Sequence, residues 1–265
     1  MIKNIIQNKS NKLFIYLGGF FIANAFIAEV IGVKIFSLES TLGIAPFKIP
    51  LFGNEFSFNL TAGVLLWPVV FIMTDIINEY YGEKGVRFLS YLTVVLLAYA
   101  FFMYYLAIHL VPAGWWPGSK EAQGVPDMQR AYAQIFGQGT AIILGSLIAF
   151  LIGQIVDVVV FHRIKKWTGE KYIWLRATGS TIVSQFIDSF VVLFIAFYLY
   201  PKYISDANGP AWAFNVVMSI CIGNYIYKFI IAVLLTPAIY LVHNVIEKYL
   251  GHELAAEMKK AAIKE

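Results

Sequence analysis

The chain has 265 residues, of which 59% are hydrophobic and only 14% are charged, and its mean hydropathy is +0.70. A soluble globular domain carries about 25% charged residues, so this composition excludes an ordinary soluble protein. The formal net charge of +4 gives no indication of nucleic-acid binding, and the single cysteine, Cys221, excludes an intramolecular disulfide. Because the apolar excess extends over the whole chain, we predict one membrane domain, residues 1–265.

Six segments are apolar over the roughly 20 residues that a helix needs to cross a bilayer. They predict transmembrane helices at about 13–36, 60–80, 87–111, 137–162, 175–200 and 213–243. The predicted fold class is therefore an all-α membrane protein whose six transmembrane helices form one bundle.

The connections between these segments have distinct compositions. Residues 37–59 alternate apolar and polar side chains around Gly53 and Asn54, which predicts a short hairpin-like external loop between helices 1 and 2. The connection at 112–136 contains Trp115 and Trp116, and tryptophan favours the membrane interface. Residues 244–265 are typical of an amphipathic tail helix outside the membrane.

The distribution of Lys and Arg predicts the orientation. The two termini and the connections at 81–87 and 163–176 contain 14 basic residues, whereas the alternate connections at 37–59, 112–136 and 201–212 contain 4. The positive-inside rule then places both termini in the cytoplasm. An even number of crossings agrees with this prediction.

The first two segments each contain one candidate for a ligand site. Asn24 lies at mid-depth in segment one, where a polar side chain needs a partner. Trp67 in segment two could stack on a planar ring, although most aromatic rings in such a chain face lipid or neighbouring helices.

Segment two ends in an acidic stripe. Asp75, Asn78 and Glu79 stand at positions i, i+3 and i+4, so they share one helical face. This stripe could bind the donor edge of a polar ligand or carry a proton. The alternative is a structural ion cluster with Lys84 and Arg87 at the cytoplasmic end of the helix.

Two segments contain the same polar pair within a long apolar run. Gln154 and Asp157 in segment four, and Gln185 and Asp188 in segment five, are three residues apart and therefore share a face. An acid at the centre of a membrane helix costs at least about 2.5–3.5 kcal/mol, and such residues usually line a pathway or a site. The pairs predict a polar interior.

Segment six contains a deep lysine. Asn224 and Lys228 share a face, and Lys228 is too far from either end of the segment to reach water easily. A buried ammonium needs a partner, for which Asp157 and Asp188 are the candidates. The lysine belongs either to a ligand or coupling-ion site or to a purely structural salt bridge.

Sequence signatures of catalysis are absent. The chain has no Walker phosphate-binding loop and no Gly-x-Ser-x-Gly elbow. His252 and Glu253 begin like a zinc-protease motif, but Ala256 stands where the second histidine is required. We therefore predict a protein that is not an enzyme and that needs no cofactor and no metal.

Four groups of motifs resemble the signatures of one family, the queuosine precursor transporters, also called vitamin uptake transporters. They lie at 62–68 with 74–82, at 153–157, at 175–176 with 180–188, and at 227–229 with 236–237. The resemblance covers roughly residues 15–245 in the family's order. The sequence departs from the expected pattern at Trp67, where the family pattern has Phe, and this change keeps an aromatic ring.

The resemblance implies a multi-pass importer of the bacterial inner membrane that holds a 7-deazaguanine, such as preQ0, preQ1 or queuine, in a mid-membrane polar cavity. A carboxylate could accept the two adjacent N–H groups of the base, an amide or Lys could bind its carbonyl, and an aromatic ring could stack on its face. The candidate substrate-binding residues are Asn24, Trp67, Asp75, Asn78, Glu79, Gln154, Asp157, Gln185, Asp188, Asn224 and Lys228.

Three other classes compete with this interpretation. The nearest is the substrate-binding subunit of an ATPase-driven vitamin importer, which is also a small six-helix protein. An intramembrane enzyme would need catalytic motifs, and a structural scaffold would not explain the polar residues at mid-depth. The expected partners are a small-molecule base and the lipid bilayer, not nucleic acid. The energy source and the oligomeric state stay open, with a homodimer as one alternative.

Overall fold

The chain is almost entirely helical. The computed structural model describes residues 7–51, 53–137, 140–169, 171–203 and 211–264. Its helices, numbered in chain order, are α1 (Lys9–Ile31), α2 (Leu38–Thr41), α3 (Trp67–His109), α4 (Met128–Gly137), α5 (Thr140–Thr168), α6 (Ile173–Phe194), α7 (Tyr200–Tyr203), α8 (Phe214–Leu234), α9 (Thr236–Leu250) and α10 (His252–Lys264). Short 3₁₀ helices occupy Ala62–Leu65 and Glu121–Gln123, and a π-helical turn, Ile195–Leu199, joins α6 to α7.

Five helical segments of the described residues are long and apolar enough to cross a membrane. They are Lys9–Ile31, Trp67–His109, Met128–Thr168, Ile173–Tyr203 and Phe214–Leu234. This architecture confirms an all-α membrane protein at the level of fold class.

The longest helix, α3, is a pair of helices that turn back on each other. Its 43 residues would extend roughly 65 Å if straight, about twice the thickness of a bilayer core. Thr74 and Ser90, on either side of Gly82, both donate a hydrogen bond to Oε1 of Gln154, at 3.1 and 3.4 Å. Two residues so far apart in a straight helix would be separated by roughly 24 Å, so the two halves of α3 lie side by side.

Gly82 makes this reversal possible. Its backbone angles are φ 69° and ψ −173°, a conformation that is almost exclusive to glycine. The predicted segment 87–111 lies in the second half of α3. The predicted segment 60–80 begins too early, because β4 and a 3₁₀ turn occupy its first residues and the helix starts at Trp67.

The main core lies between α1, both halves of α3, and α5. Phe21 and Ala25 of α1 pack against Val70 and Leu89 of α3 and against Phe150 of α5, and all five side chains are buried. This core fixes α3 against α5, the helix that carries Gln154 and Asp157.

The connection between α1 and α3 contains four short strands, β1 (Ile35–Ser37), β2 (Ile49–Leu51), β3 (Asn54–Phe56) and β4 (Asn59–Thr61). They form two antiparallel pairs, β1 with β4 and β2 with β3. The β2–β3 pair, in register Ile49↔Phe56 and Leu51↔Asn54, is the predicted hairpin. Buried Glu39 accepts a hydrogen bond of 2.7 Å from the backbone N–H of Phe58 and ties α2 to this layer.

The predicted segment 213–243 is divided in the structure into α8 and α9. Pro237 stands in the first turn of α9, where it lacks the N–H that would continue α8. Gly251, with φ 89°, then ends α9, and α10 folds back so that Leu250 and Ala255 pack against Tyr80 of α3. The tail is therefore docked on the helix bundle.

Candidate functional site

A cavity opens between α3, α6, α8 and α9. The space between the lining residues is about 450 Å³, a figure that includes the open region at its mouth. Its wall is mostly apolar, with two aromatic rings and four polar side chains: Trp67, Phe71, Thr178, Thr181, Gln185 and Lys228. An apolar wall with few polar groups is typical of a site for a small, flat, partly polar molecule.

Trp67 is held rigidly at the start of α3. Its ring packs at 5.7 Å from Phe150 and at 6.4 Å from Phe71, measured between ring centroids. The preceding 3₁₀ turn lies so close to α1 that a Cβ atom at Gly63 would be 2.6 Å from the carbonyl oxygen of Ala28. This close approach requires glycine and places the indole in the cavity wall.

Gln185 contributes a hydrogen-bond donor that the protein leaves open. The residue lines the cavity and is 3% exposed, and its Nε2 has no hydrogen-bond partner among the described residues. Buried amide groups are normally satisfied. The nitrogen is itself buried, so a ligand carbonyl in the cavity would reach it only after a rotation of the Gln185 side chain.

Lys228 pairs with Asp188, one of its two candidate partners. Lys228 Nζ lies 2.5 Å from Asp188 Oδ2, and the side chains are only 13% and 20% exposed. Lys228 lines the cavity, whereas Asp188 is not one of the lining residues and is linked to the cavity through its bond to Lys228. Gly153 of α5 packs next to Asp188, and a Cβ atom at Gly153 would be in ordinary contact, at 3.6 Å, with Asp188 Cβ.

A second polar layer is buried behind the cavity, between α3, α5 and α6. Asp75 accepts from Ser180 at 3.4 Å and from Thr181 at 3.5 Å. Asp157 accepts from Ser184 at 3.0 Å. Thr181 belongs to both regions, because it also lines the cavity.

The layer is enclosed by protein. Asp75, Gln154 and Asp157 are each 2% exposed or less. Both Gln154 and Gln185 thus lie inside the bundle and not on its lipid-facing surface, as the sequence predicts for a polar interior.

Glu79 belongs to a buried ion cluster and does not line the cavity. Arg176 binds its carboxylate with both Nε and a terminal nitrogen, at 3.0 and 2.7 Å, and Lys165 Nζ lies 3.1 Å away. All three side chains are about 1% exposed. Arg176 also donates to two backbone carbonyls in the α5–α6 connection. Glu79 therefore lies in a structural ion cluster, which was the alternative to a ligand-binding role.

The partners in this cluster differ from those that the sequence suggested. Arg87 pairs with Glu83, one helical turn away on the exposed side of α3. Lys165 and Arg176, the partners of Glu79, belong to the basic stretch that predicted the orientation of the chain. Proximity in sequence suggested Arg87 as a partner of Glu79, whereas its partners lie on two other helices, Lys165 on α5 and Arg176 on α6.

The three predicted asparagines also lie away from the cavity wall. Asn78 Oδ1 is 2.7 Å from His162 Nε2, next to the ion cluster. Asn24 and Asn224 each donate to a carbonyl of their own helix, at 2.8 and 3.0 Å. Such bonds satisfy a polar side chain within an apolar segment without a ligand. The described residues contain no cluster of three or more His, Cys, Asp or Glu side chains that could hold a metal ion.

The chain has clear relatives among known proteins. Residues 61–242 match a family model described as "Putative vitamin uptake transporter". A "Probable queuosine precursor transporter" of Bacillus subtilis is 30% identical over 188 residues, which cover 70% of this chain and 72% of the relative. Another protein of that name, from Haemophilus influenzae, is 27% identical, covering 76% and 78% of the two chains.

The "Queuosine precursor transporter" of Escherichia coli is 26% identical over 66% of this chain and 69% of its own length. No solved structure has significant similarity to the chain. The matched region runs from the turn before Trp67 into α9 and contains the cavity, the buried acids and the ion cluster. Together with the apolar helices, these matches confirm the resemblance, and the chain belongs to the vitamin uptake transporter family of multi-pass bacterial inner-membrane proteins.

Proposed function

We propose that this protein imports a queuosine precursor, a 7-deazaguanine such as preQ0, preQ1 or queuine, and holds the base in the cavity lined by Trp67, Gln185 and Lys228. The observation that carries the proposal is the open amide donor of Gln185 in a small cavity beside an ion pair. The names of three relatives support the substrate class.

The cavity offers a partner to each part of a deazaguanine. The flat bicyclic ring stacks on Trp67. The ring carbonyl accepts from Gln185 Nε2 or from the ammonium of Lys228. The adjacent N1–H and exocyclic amine donate to the carboxylate of Asp188, which has lone pairs left after its bond to Lys228.

This proposal narrows the set of residues that touch the ligand. Trp67, Gln185, Asp188 and Lys228 form the contact set. The predicted residues of the buried layer and of the ion cluster support the helices that carry these four, as do the two asparagines that bond to their own helices. The support is that Trp67, Gln185 and Lys228 line the cavity, that Asp188 is bound to Lys228, and that the other residues already have partners within the protein.

We further propose six membrane crossings with both termini in the cytoplasm. The reversal of α3 at Gly82 supports two crossings within that element, and the 14 basic residues against 4 support the orientation. Single cysteines introduced at 120 and 168, with Cys221 replaced, test this topology. An impermeant thiol reagent added outside should label position 120 alone, and labelling at 168 would contradict it.

Binding to the purified protein tests the substrate. We expect preQ0, preQ1 or queuine to bind. Gln185→Leu should weaken that binding by about tenfold or more, because the carbonyl of the bound base then has no donor. Gln123→Leu, at an exposed position, is the matched control. Failure of all three bases to bind would overturn the proposal.

Uptake into liposomes separates the proposal from the rival class. A purified protein that takes up the base without ATP and without any ATPase acts alone. Uptake that appears only after an ATPase module is added would favour the substrate-binding subunit of an ATPase-driven importer.

A further inference from the structure

The buried layer behind the cavity has fewer hydrogen-bond donors than carboxylate oxygens. Asp75 and Asp157 present four carboxylate oxygens, and the hydroxyl groups that reach them belong to Ser180, Thr181 and Ser184. Each hydroxyl has a single proton. Ser180 and Ser184 also lie 3.1 Å from backbone carbonyls of their own helix, which compete for those protons.

One carboxylate oxygen has no partner at all. Asp157 is fully buried, and its Oδ2 accepts no hydrogen bond from any described residue. Asp75 and Asp157 lie beside the same turn of α6, because Ser180 and Thr181 donate to Asp75 and Ser184 donates to Asp157. Two buried carboxylates that take part in no ion pair among the described residues are strongly unfavourable, so one of them needs a cation or a proton.

The charged groups around the pair are already engaged. Glu79 on α3 faces Asp75, and it is bound by Lys165 of α5 and Arg176 of α6. In the described parts of the chain, neither Asp75 nor Asp157 takes part in an ion pair.

A charge count for the carboxylate, Lys and Arg side chains of this layer points to one missing positive charge. Three buried acids, Asp75, Asp157 and Glu79, face two buried cations on the same three helices, and the nearby His162 bonds to the uncharged Asn78. Asp188 and Lys228 neutralise each other one layer away. A single proton on the Asp75–Asp157 pair therefore balances the layer.

We propose that Asp75 and Asp157 form a proton-carrying site that couples import of the base to the proton gradient. The proton forms an O–H bond with one carboxyl group and leaves again as H⁺, with no other bond changed. Thr181 connects this site to the cavity, because its hydroxyl bonds to Asp75 and its side chain lines the cavity wall. A base that enters the cavity thus changes the surroundings of a donor to the acid pair. This inference rests on the proposed function.

Infrared spectroscopy tests the proton site without any ligand. We expect purified protein to show the carbonyl stretch of a protonated, buried carboxylic acid. The band should disappear in the Asp157→Asn or the Asp75→Asn variant and persist in Asp127→Asn, which changes an acid at the start of α4. Asparagine imitates a protonated carboxyl group, so either variant should fold. Absence of a band that depends on one of these acids would overturn the proton site.

Liposomes with a pH-sensitive dye inside test the coupling. With one proton per base, a gradient of one pH unit, acidic outside, can drive about a tenfold accumulation of labelled preQ1. Uptake should acidify the lumen. In Asp157→Asn the gradient should no longer increase uptake, while preQ1 binding changes by no more than about threefold.

The outcomes separate the two proposals. Accumulation driven by a sodium gradient in place of a pH gradient would overturn the proton site in favour of Na⁺. If preQ1 only equilibrates across the membrane, with either gradient present, coupling of transport to protons is overturned and the proposed function stays intact. An Asp157-dependent infrared band in a protein that binds no deazaguanine would keep the proton site and overturn the proposed function.

Discussion

At the scale of single residues, the role of each polar side chain depends on whether the protein already supplies its hydrogen-bond partner. Asn24 and Asn224 are satisfied by their own helices, whereas Gln185 keeps an open donor. An open, buried donor is costly unless a ligand or water completes it. Asn78 and Gln154 also have an amide nitrogen without a partner among the described residues. Gln185 therefore differs from the other polar residues by combining an open donor with a place in the cavity lining.

The Asp188–Lys228 pair combines support of the fold with recognition, and a double variant separates the two. Asp188→Asn leaves the ammonium without its counter-charge, which costs up to about 3–5 kcal/mol in a fully buried pair and less here, because both groups are partly exposed. We expect reduced thermal stability and reduced uptake. Adding Lys228→Met should restore the melting temperature but not uptake. Parent-level uptake by Asp188→Asn would contradict a role for its carboxylate in recognition.

Selectivity against adenine follows from the same carboxylate. Guanine-type bases present N1–H and an amine to Asp188, whereas adenine presents an unprotonated N1 whose lone pair would face the acid. Sites built on such hydrogen bonds can reject analogues by about 10⁴-fold. We expect excess queuine, but not excess adenine, to block uptake of labelled precursor. Equal competition by both would mean that the cavity recognises only a flat ring.

At the scale of elements, the sequence predicts what depends on local chain properties. Hydropathy alone located the apolar helices, and the polar stretch at 81–87 marked the reversal at Gly82. The partners of Glu79 could not be read in this way, because Lys165 and Arg176 lie on two other helices whose packing is not encoded in local periodicity. Asp188 was predicted only as one of two candidates for Lys228 for the same reason.

The ion cluster should be essential to the packing of α3, α5 and α6. Glu79→Gln leaves two buried cations without an acid, and we expect a loss of about 3–5 kcal/mol in the free energy of unfolding. Glu83→Gln is the matched control, one turn along the same helix in a partly exposed pair with Arg87. It should cost less than about 1 kcal/mol. Thermal unfolding in detergent measures both, and equal losses would contradict a special role for the buried cluster.

The reversal of α3 should depend on glycine. An alanine at Gly82 would have to adopt backbone angles that cost about 1–3 kcal/mol for a residue with a Cβ atom. Gly19→Ala in α1 is the control, because a Cβ atom there meets nothing within 4 Å and the helix favours alanine. We expect a lower melting temperature for Gly82→Ala alone. An unchanged melting temperature would indicate that the turn tolerates other conformations.

At the scale of the whole molecule, the C-terminal tail closes the end of the bundle that holds the ion cluster. Tyr80 of α3 bonds to His243 of α9 through its hydroxyl, at 3.1 Å, and Lys259 of α10 lies 5.4 Å above the Tyr80 ring. Lys259 also pairs with Glu247. The sequence predicts an amphipathic tail, but its docking on Tyr80 required the reversal at Gly251, which brings α10 back to α3.

The attachment of this tail should depend on pH through Glu247. The hydrogen bond and the charge of Lys259 lower the pKa of Glu247 below its usual 4.5. A lowered folded-state pKa means that the pair stabilises the docked tail fully above pH 4.5 and that this stabilisation is lost as the pH falls through the folded-state value. We expect hydrogen exchange in α10, corrected for intrinsic rates, to accelerate over that range.

Glu247→Gln should show the faster exchange already at neutral pH, because its amide cannot form the ion pair. Glu257→Gln, at an exposed position on α10, is the control and should exchange like the parent. Parent-level protection in Glu247→Gln at neutral pH would show that apolar contacts of Leu250 and Ala255 hold the tail without the ion pair.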